Sequence, residues 1–147
     1  MKPCVSEQLQ YYNLLTSEID EAYHNASLKL GLSDSAMMIL YALYSRENPC
    51  PLLEIARLTG ISRQTIHSAI KKLEAQGILT LESPGGRRKL VRLTEEGMEL
   101  AEKTAGRLIK IENEIFYSWT GEELEQYIRL TGRYLEQFRE KTGRLGV

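Results

Sequence analysis

Residues 52–93, LLEIARLTGISRQTIHSAIKKLEAQGILTLESPGGRRKLVRL, constrain this chain more than any other stretch. They predict a short helix, a tight turn, a longer helix and a two-stranded hairpin. Leu52 to Thr59 forms the first helix, with Leu53, Ile55, Ala56 and Leu58 expected to face inward. Gly60 then supplies the left-handed position that ends a helix, which a residue with a Cβ resists. Ser62 suits the N-cap of the next helix, because its hydroxyl can accept an orphan backbone N–H of the first turn. That helix is expected from Arg63 to Gln76. Its Ile66, Ala69, Ile70 and Leu73 fall at i, i+3, i+4 and i+7, one stripe on a helix of about 3.6 residues per turn. The opposite face carries Arg63, Gln64, His67, Ser68 and Lys71. Gly77 closes it, Ile78 to Leu81 is β-prone, Ser83-Pro84-Gly85-Gly86 is turn chemistry, and Arg87 to Leu93 forms the second strand.

A hairpin with Arg87, Arg88 and Lys89 in succession at its tip is a wing, so the segment predicts a winged helix-turn-helix. The net charge of −1 conceals a partition along the chain. Residues 55–92 hold eight Lys/Arg (Arg57, Arg63, Lys71, Lys72, Arg87, Arg88, Lys89, Arg92) against Glu74 and Glu82, which is +6. The remainder is therefore −7. Cations gathered on one helix face and one hairpin concentrate positive potential where phosphates would sit.

At 147 residues the chain suits one domain with a sizeable core. No apolar run has membrane-spanning length, and the start MKPCVSEQLQ lacks the apolar centre of a signal peptide, so a cytoplasmic location is expected and no membrane partner. Cys4 and Cys50 stand without CxxC spacing or a histidine cluster, which argues against a disulfide scaffold, a zinc site or any other metal. The two histidines, His24 and His67, lie on separate predicted helices, and no glycine-rich phosphate loop follows a strand. An enzyme is accordingly not expected, nor a cofactor.

The flanks are helical. Val5, Leu9, Tyr12, Leu15, Ile19, Ala22, Ala26 and Leu30 step by three or four over residues 5–30, ending at Gly31, and Ser33 caps a helix from Asp34 to about Arg46 that is apolar nearly all round. Asn48-Pro49-Cys50-Pro51 breaks the chain, which makes Cys50 a small loop residue. After the wing, Thr94 caps a helix expected to run unbroken through Leu100, Thr104, Leu108, Ile111 and Ile115 to about Tyr117. Thr120 and Glu123 form a capping box for a last helix reaching about Thr142. The first and last helices carry apolar stripes that a monomer of this size has little to cover, so pairing with a second copy is expected.

With these residues in view, the chain resembles a MarR-family transcriptional regulator over nearly its full length. The matching stretches are LGLS at 30–33, IARLTGISRQTIHSAIKKLEAQGIL at 55–79 and RRKLVRLTEEG at 87–97, the last holding the Leu-Thr-x-x-Gly sequence, Leu93 to Gly97, that typically ends the family's wing. The resemblance implies a mainly α, single MarR-like domain over 1–147: a DNA-binding lobe at 33–93 with a two-stranded β wing, and dimerisation helices at 5–31 and 94–142. It departs from the family at the wing tip, where Pro84-Gly85-Gly86-Arg87-Arg88 replaces the usual Asp-Arg pair, so either Arg87 or Arg88 is left for the minor groove.

A homodimer of this kind would place two recognition helices in successive major grooves of double-stranded DNA about 34 Å apart, on an inverted-repeat operator. Gln64, His67 and Ser68 are then candidates for base edges, Arg63 and Lys71 for phosphate or guanine, Ser62 and Thr65 for phosphate, and Arg87 and Arg88 for the minor groove. The resemblance further implies a repressor released by a small aromatic or phenolic effector, for which Tyr12, Met37 and Tyr41 could line a cleft. Two alternatives stay open: redox sensing through Cys4, and a winged-helix module that binds protein without specific DNA binding.

Overall fold

A computed structural model of the protein describes residues 1–86 and 88–146. The fold is mainly helical with one small antiparallel sheet, in the order α1 (Glu7–Lys29), α2 (Asp34–Ser45), β1 (Cys50–Pro51), α3 (Leu52–Thr59), α4 (Arg63–Ala75), β2 (Leu79–Glu82), β3 (Leu90–Leu93), α5 (Glu95–Lys103), α6 (Ala105–Ser118) and α7 (Gly121–Thr142). The chain forms two compact units, Met1–Ile109 and Lys110–Val147. Among the described residues, no helix is long and apolar enough to cross a membrane.

The core of the first unit is built on α2, whose Met37, Ile39, Leu40, Ala42 and Leu43 are all buried. Around it close Ile55 of α3, Ile66, Ile70 and Leu73 of α4, Leu79 of β2, Val91 and Leu93 of β3, and Ala101 of α5. The expected caps form: the hydroxyls of Ser33, Ser62 and Thr94 accept from the backbone N–H groups of Ala36, Thr65 and Gly97. Gly60 adopts φ +66° and takes the left-handed position expected of it. His24 of α1 sits with Nδ1 2.8 Å from the Asp34 carboxylate at the start of α2.

Four details differ from the sequence reading. Leu53 is 72% exposed, because two residues along a helix differ by about 200° and Leu53 therefore points away from Ile55. Leu58, also expected inside, is exposed as well, so the inward stripe of α3 is Leu52, Ile55 and Ala56. Cys50 is not in a loop but in a third strand: β1 pairs with β3 as Cys50↔Val91 and Pro51↔Leu90, giving the sheet order β1-β3-β2. Asn48 pins this segment, accepting from the Leu93 N–H at 2.9 Å and donating to the Leu93 carbonyl at 3.4 Å.

The third difference is at β2, which begins at Leu79 because the Ile78 N–H is already committed to the Leu73 carbonyl at the end of α4. The fourth is a break in the helix after the wing. The Thr104 hydroxyl takes the Leu100 carbonyl at 2.6 Å, while the Thr104 N–H turns to Ala101, so the regular i to i−4 bond is lost and α5 ends. Beyond the break, Gly106 lies so near the Tyr44 ring that a Cβ would meet it at 3.2 Å.

The second unit contains α7, whose capping box is complete: Thr120 accepts from the Glu123 N–H and Glu123 accepts from the Thr120 N–H. Phe116, Trp119 and Tyr127 meet edge to face about the α6–α7 turn, at centroid separations of 5.3 to 6.3 Å.

Candidate nucleic-acid interface

The stripe Ile66, Ile70 and Leu73 is buried, which fixes the rotation of α4 about its axis. Ser62, Arg63, Gln64, Thr65, His67, Ser68 and Lys71 consequently all stand exposed on the other side. The N-terminus of α4 is tied down by Ser62, whose hydroxyl also donates to Thr65 Oγ1 at 2.9 Å. Both hydroxyls therefore sit where the backbone N–H groups of a first helical turn face outward, the position expected for a phosphate.

The wing is set beside α4 by two joints. Toward its tip, the Leu52 N–H donates to the Lys89 carbonyl at 3.0 Å, continuing the β1–β3 pairing into the start of α3. At its base, Thr94 donates from its hydroxyl to the Gly77 carbonyl at 2.6 Å and from its N–H to the Ile78 carbonyl at 3.0 Å. The strands themselves are fastened by Arg92, whose Nε donates to Glu82 at 2.5 Å; this bond holds the Glu82 carboxyl below its ordinary range and raises the guanidinium further. Arg92 is thereby occupied within the wing.

Together α3, α4 and the wing enclose an open cleft of about 660 Å³. Arg63, His67 and Arg88, all foreseen from the sequence, line it, along with Arg57 and Lys89, which the sequence reading counted only as charges. Its apolar wall includes Pro51, Leu52, Ala56 and Ile66. One carboxylate, Glu54, also lies there, with Oε1 3.7 Å from Arg57 and 3.9 Å from Arg46. Gln64, Ser68 and Lys71 are not part of this cleft. The sequence held no local signal for Arg57, because it meets α4 and the wing only once the fold closes. Arg87, the other candidate at the wing tip, lies outside the described residues.

The sequence model of the MarR family matches residues 30–89. Over that stretch the chain is similar to the MarR family. The family match takes in α2, α3, α4, β2 and the turn of the wing. Solved structures extend the likeness in fold to most of the chain. A MarR family regulator from Neisseria meningitidis is 20% identical, with a TM-score of 0.76, over 93% of this chain and 96% of that one. The S. aureus MepR–DNA complex is 18% identical with a TM-score of 0.69, over 88% and 96%. The PcaV transcriptional regulator from Streptomyces coelicolor, in complex with its natural ligand, is 18% identical with a TM-score of 0.67, over 91% and 98%. No curated protein matches the chain.

The remaining candidates fall elsewhere. Tyr12 is exposed on α1, Met37 is closed into the core and Tyr41 packs against it. Cys4 is exposed ahead of α1. Burial pushes the Cys50 thiol above its ordinary value, and the Glu54 charge adds to this against the opposing pull of Arg46.

Proposed function

We propose that the protein is a sequence-specific DNA-binding transcriptional regulator that acts as a homodimer on an inverted-repeat operator. The observation that carries this reading is α4: a helix anchored by three buried side chains presents Arg63, Gln64, Thr65, His67, Ser68 and Lys71 outward, beside a cleft rimmed by Arg57, Arg63, Arg88 and Lys89. Gln64, His67 and Ser68 read base edges, Lys71 and Arg63 contact guanine or phosphate, Ser62 and Thr65 bind phosphate, and Arg88 or Arg87 enters the minor groove. MepR bound to DNA supports the assignment by its similarity in fold.

Regulation by a small molecule is part of the proposal, supported by PcaV and its ligand. The protein acts as a repressor, and an aromatic or phenolic effector bound near Tyr12, Met37 and Tyr41 releases it. The dimer accounts for the exposed apolar residues of α1 (Leu9, Tyr12, Leu15, Ile19) and of α7 (Ile128, Leu135, Phe138), which each unit leaves open to solvent.

The test is direct. Operator fragments are selected from genomic DNA with the wild-type protein, and binding is then measured for Lys71→Ala and Arg88→Ala. Each variant is expected to lose about 1–3 kcal/mol of binding free energy while melting like the wild type. Unchanged isotherms for both would overturn the assignment.

A further inference from the structure

The cleft between α3, α4 and the wing contains one feature at odds with a surface built for phosphate. Arg57, Arg63, Arg88 and Lys89 line it, yet Glu54 stands among them, partly exposed. Among the described residues, none hydrogen-bonds its carboxylate. The nearest guanidinium nitrogens of Arg57 and Arg46 lie 3.7 and 3.9 Å away, beyond hydrogen-bond reach, and Arg57 keeps 73% of its side chain in solvent. Loose pairs of exposed groups orient little. The Arg92–Glu82 pair of the same wing shows what a positioning contact looks like here, closing at 2.5 Å.

Resting on the DNA-binding reading above, we infer that Glu54 is an affinity-limiting residue, a negative charge inside the phosphate-facing cleft that weakens attraction to any DNA backbone. Phosphate attraction carries no sequence information and supplies essentially all nonspecific binding. A carboxylate at this place repels a phosphate seated by Arg63 and Arg88 and partly neutralises Arg57. It acts alike on operator and non-operator DNA, so it lowers the absolute affinity without altering base readout. The consequence is a shorter residence on DNA of any sequence.

The test compares Glu54→Gln, which keeps shape and removes charge, with the wild type on a selected operator duplex and on a mixed-sequence duplex. Glu102→Gln, the same charge change on the exposed face of α5, controls for net charge, and Glu54→Asp keeps the charge in place. Glu54→Gln is expected to tighten both duplexes by roughly three- to tenfold at low salt, the size of one charge removed near one or two phosphates. The gain should shrink as salt is raised. Glu102→Gln and Glu54→Asp should stay near wild type. Unchanged or weaker binding by Glu54→Gln overturns the inference, weaker binding meaning that the carboxylate positions Arg57. Equal tightening by Glu102→Gln overturns it too, by reducing it to net charge. Failure of the wild type to bind either duplex would instead overturn the DNA-binding reading on which it rests.

Discussion

Gly97 shows how a single residue fixes the wing to the rest of the first unit. A Cβ there would lie 1.8 Å from the Ile78 carbonyl oxygen, and backbone cannot yield as a side-chain tip can. The first turn of α5 is thus pressed against the end of α4's connection, and Thr94 bonds across the same joint. Gly97→Ala is expected to cost about 3 kcal/mol in a urea melt, since α5 must move to admit the methyl. A variant as stable as the wild type would show that the joint is slack. The Leu93-Thr-x-x-Gly97 pattern was legible in the sequence, but what it does was not, because its partners, Gly77 and Ile78, become neighbours only when the hairpin closes. Leu53 and Cys50 were misread for a related reason. Hydrophobicity marks a residue as apt for burial, and only the position of the neighbouring elements decides whether it is buried.

At the scale of elements, local chemistry was the most legible part. Helix caps depend on residues within four positions of each other, so Ser33, Ser62, Thr94 and Thr120 could be placed without tertiary information. The α5–α6 break could not, since the apolar spacing continues through Thr104 and only a competition between its hydroxyl and its N–H ends the helix. The capping box of α7 gives a pH-dependent prediction. The Thr120 backbone N–H, donated to Glu123, holds that carboxyl below its ordinary 4.5. A lowered folded value means stabilisation that is present above 4.5 and is lost as pH falls through the folded value. Glu123→Gln, which keeps the shape and removes the charge, should therefore destabilise the protein at neutral pH. Its deficit in thermal melts should narrow below pH 4.5. A deficit constant across that window would contradict the assigned role of Glu123.

For the whole molecule, the partition of charge is the organising fact: +6 in residues 55–92 and −7 in the rest. The structure turns the first number into a surface, with α4 and the wing bringing Arg63 and Arg88 onto one cleft, while Arg92 is withdrawn into its pair with Glu82. The exposed apolar residues of α7 supply the second constraint. Leu135→Asp is expected to shift the protein from dimer to monomer in sedimentation at micromolar concentration, and to weaken operator binding by losing one of two half-sites. A wild type that sediments as a monomer would remove the basis for the inverted repeat. The most direct test of the central claim is the ratio of affinities for a selected genomic fragment and a mixed-sequence duplex, measured at one salt concentration. A regulator of this kind should prefer the selected fragment by roughly a thousandfold or more. That fragment should carry an inverted repeat with half-sites one helical turn, or a multiple of it, apart. Weak binding of equal strength to both duplexes would contradict the account and leave a winged helix that recognises protein.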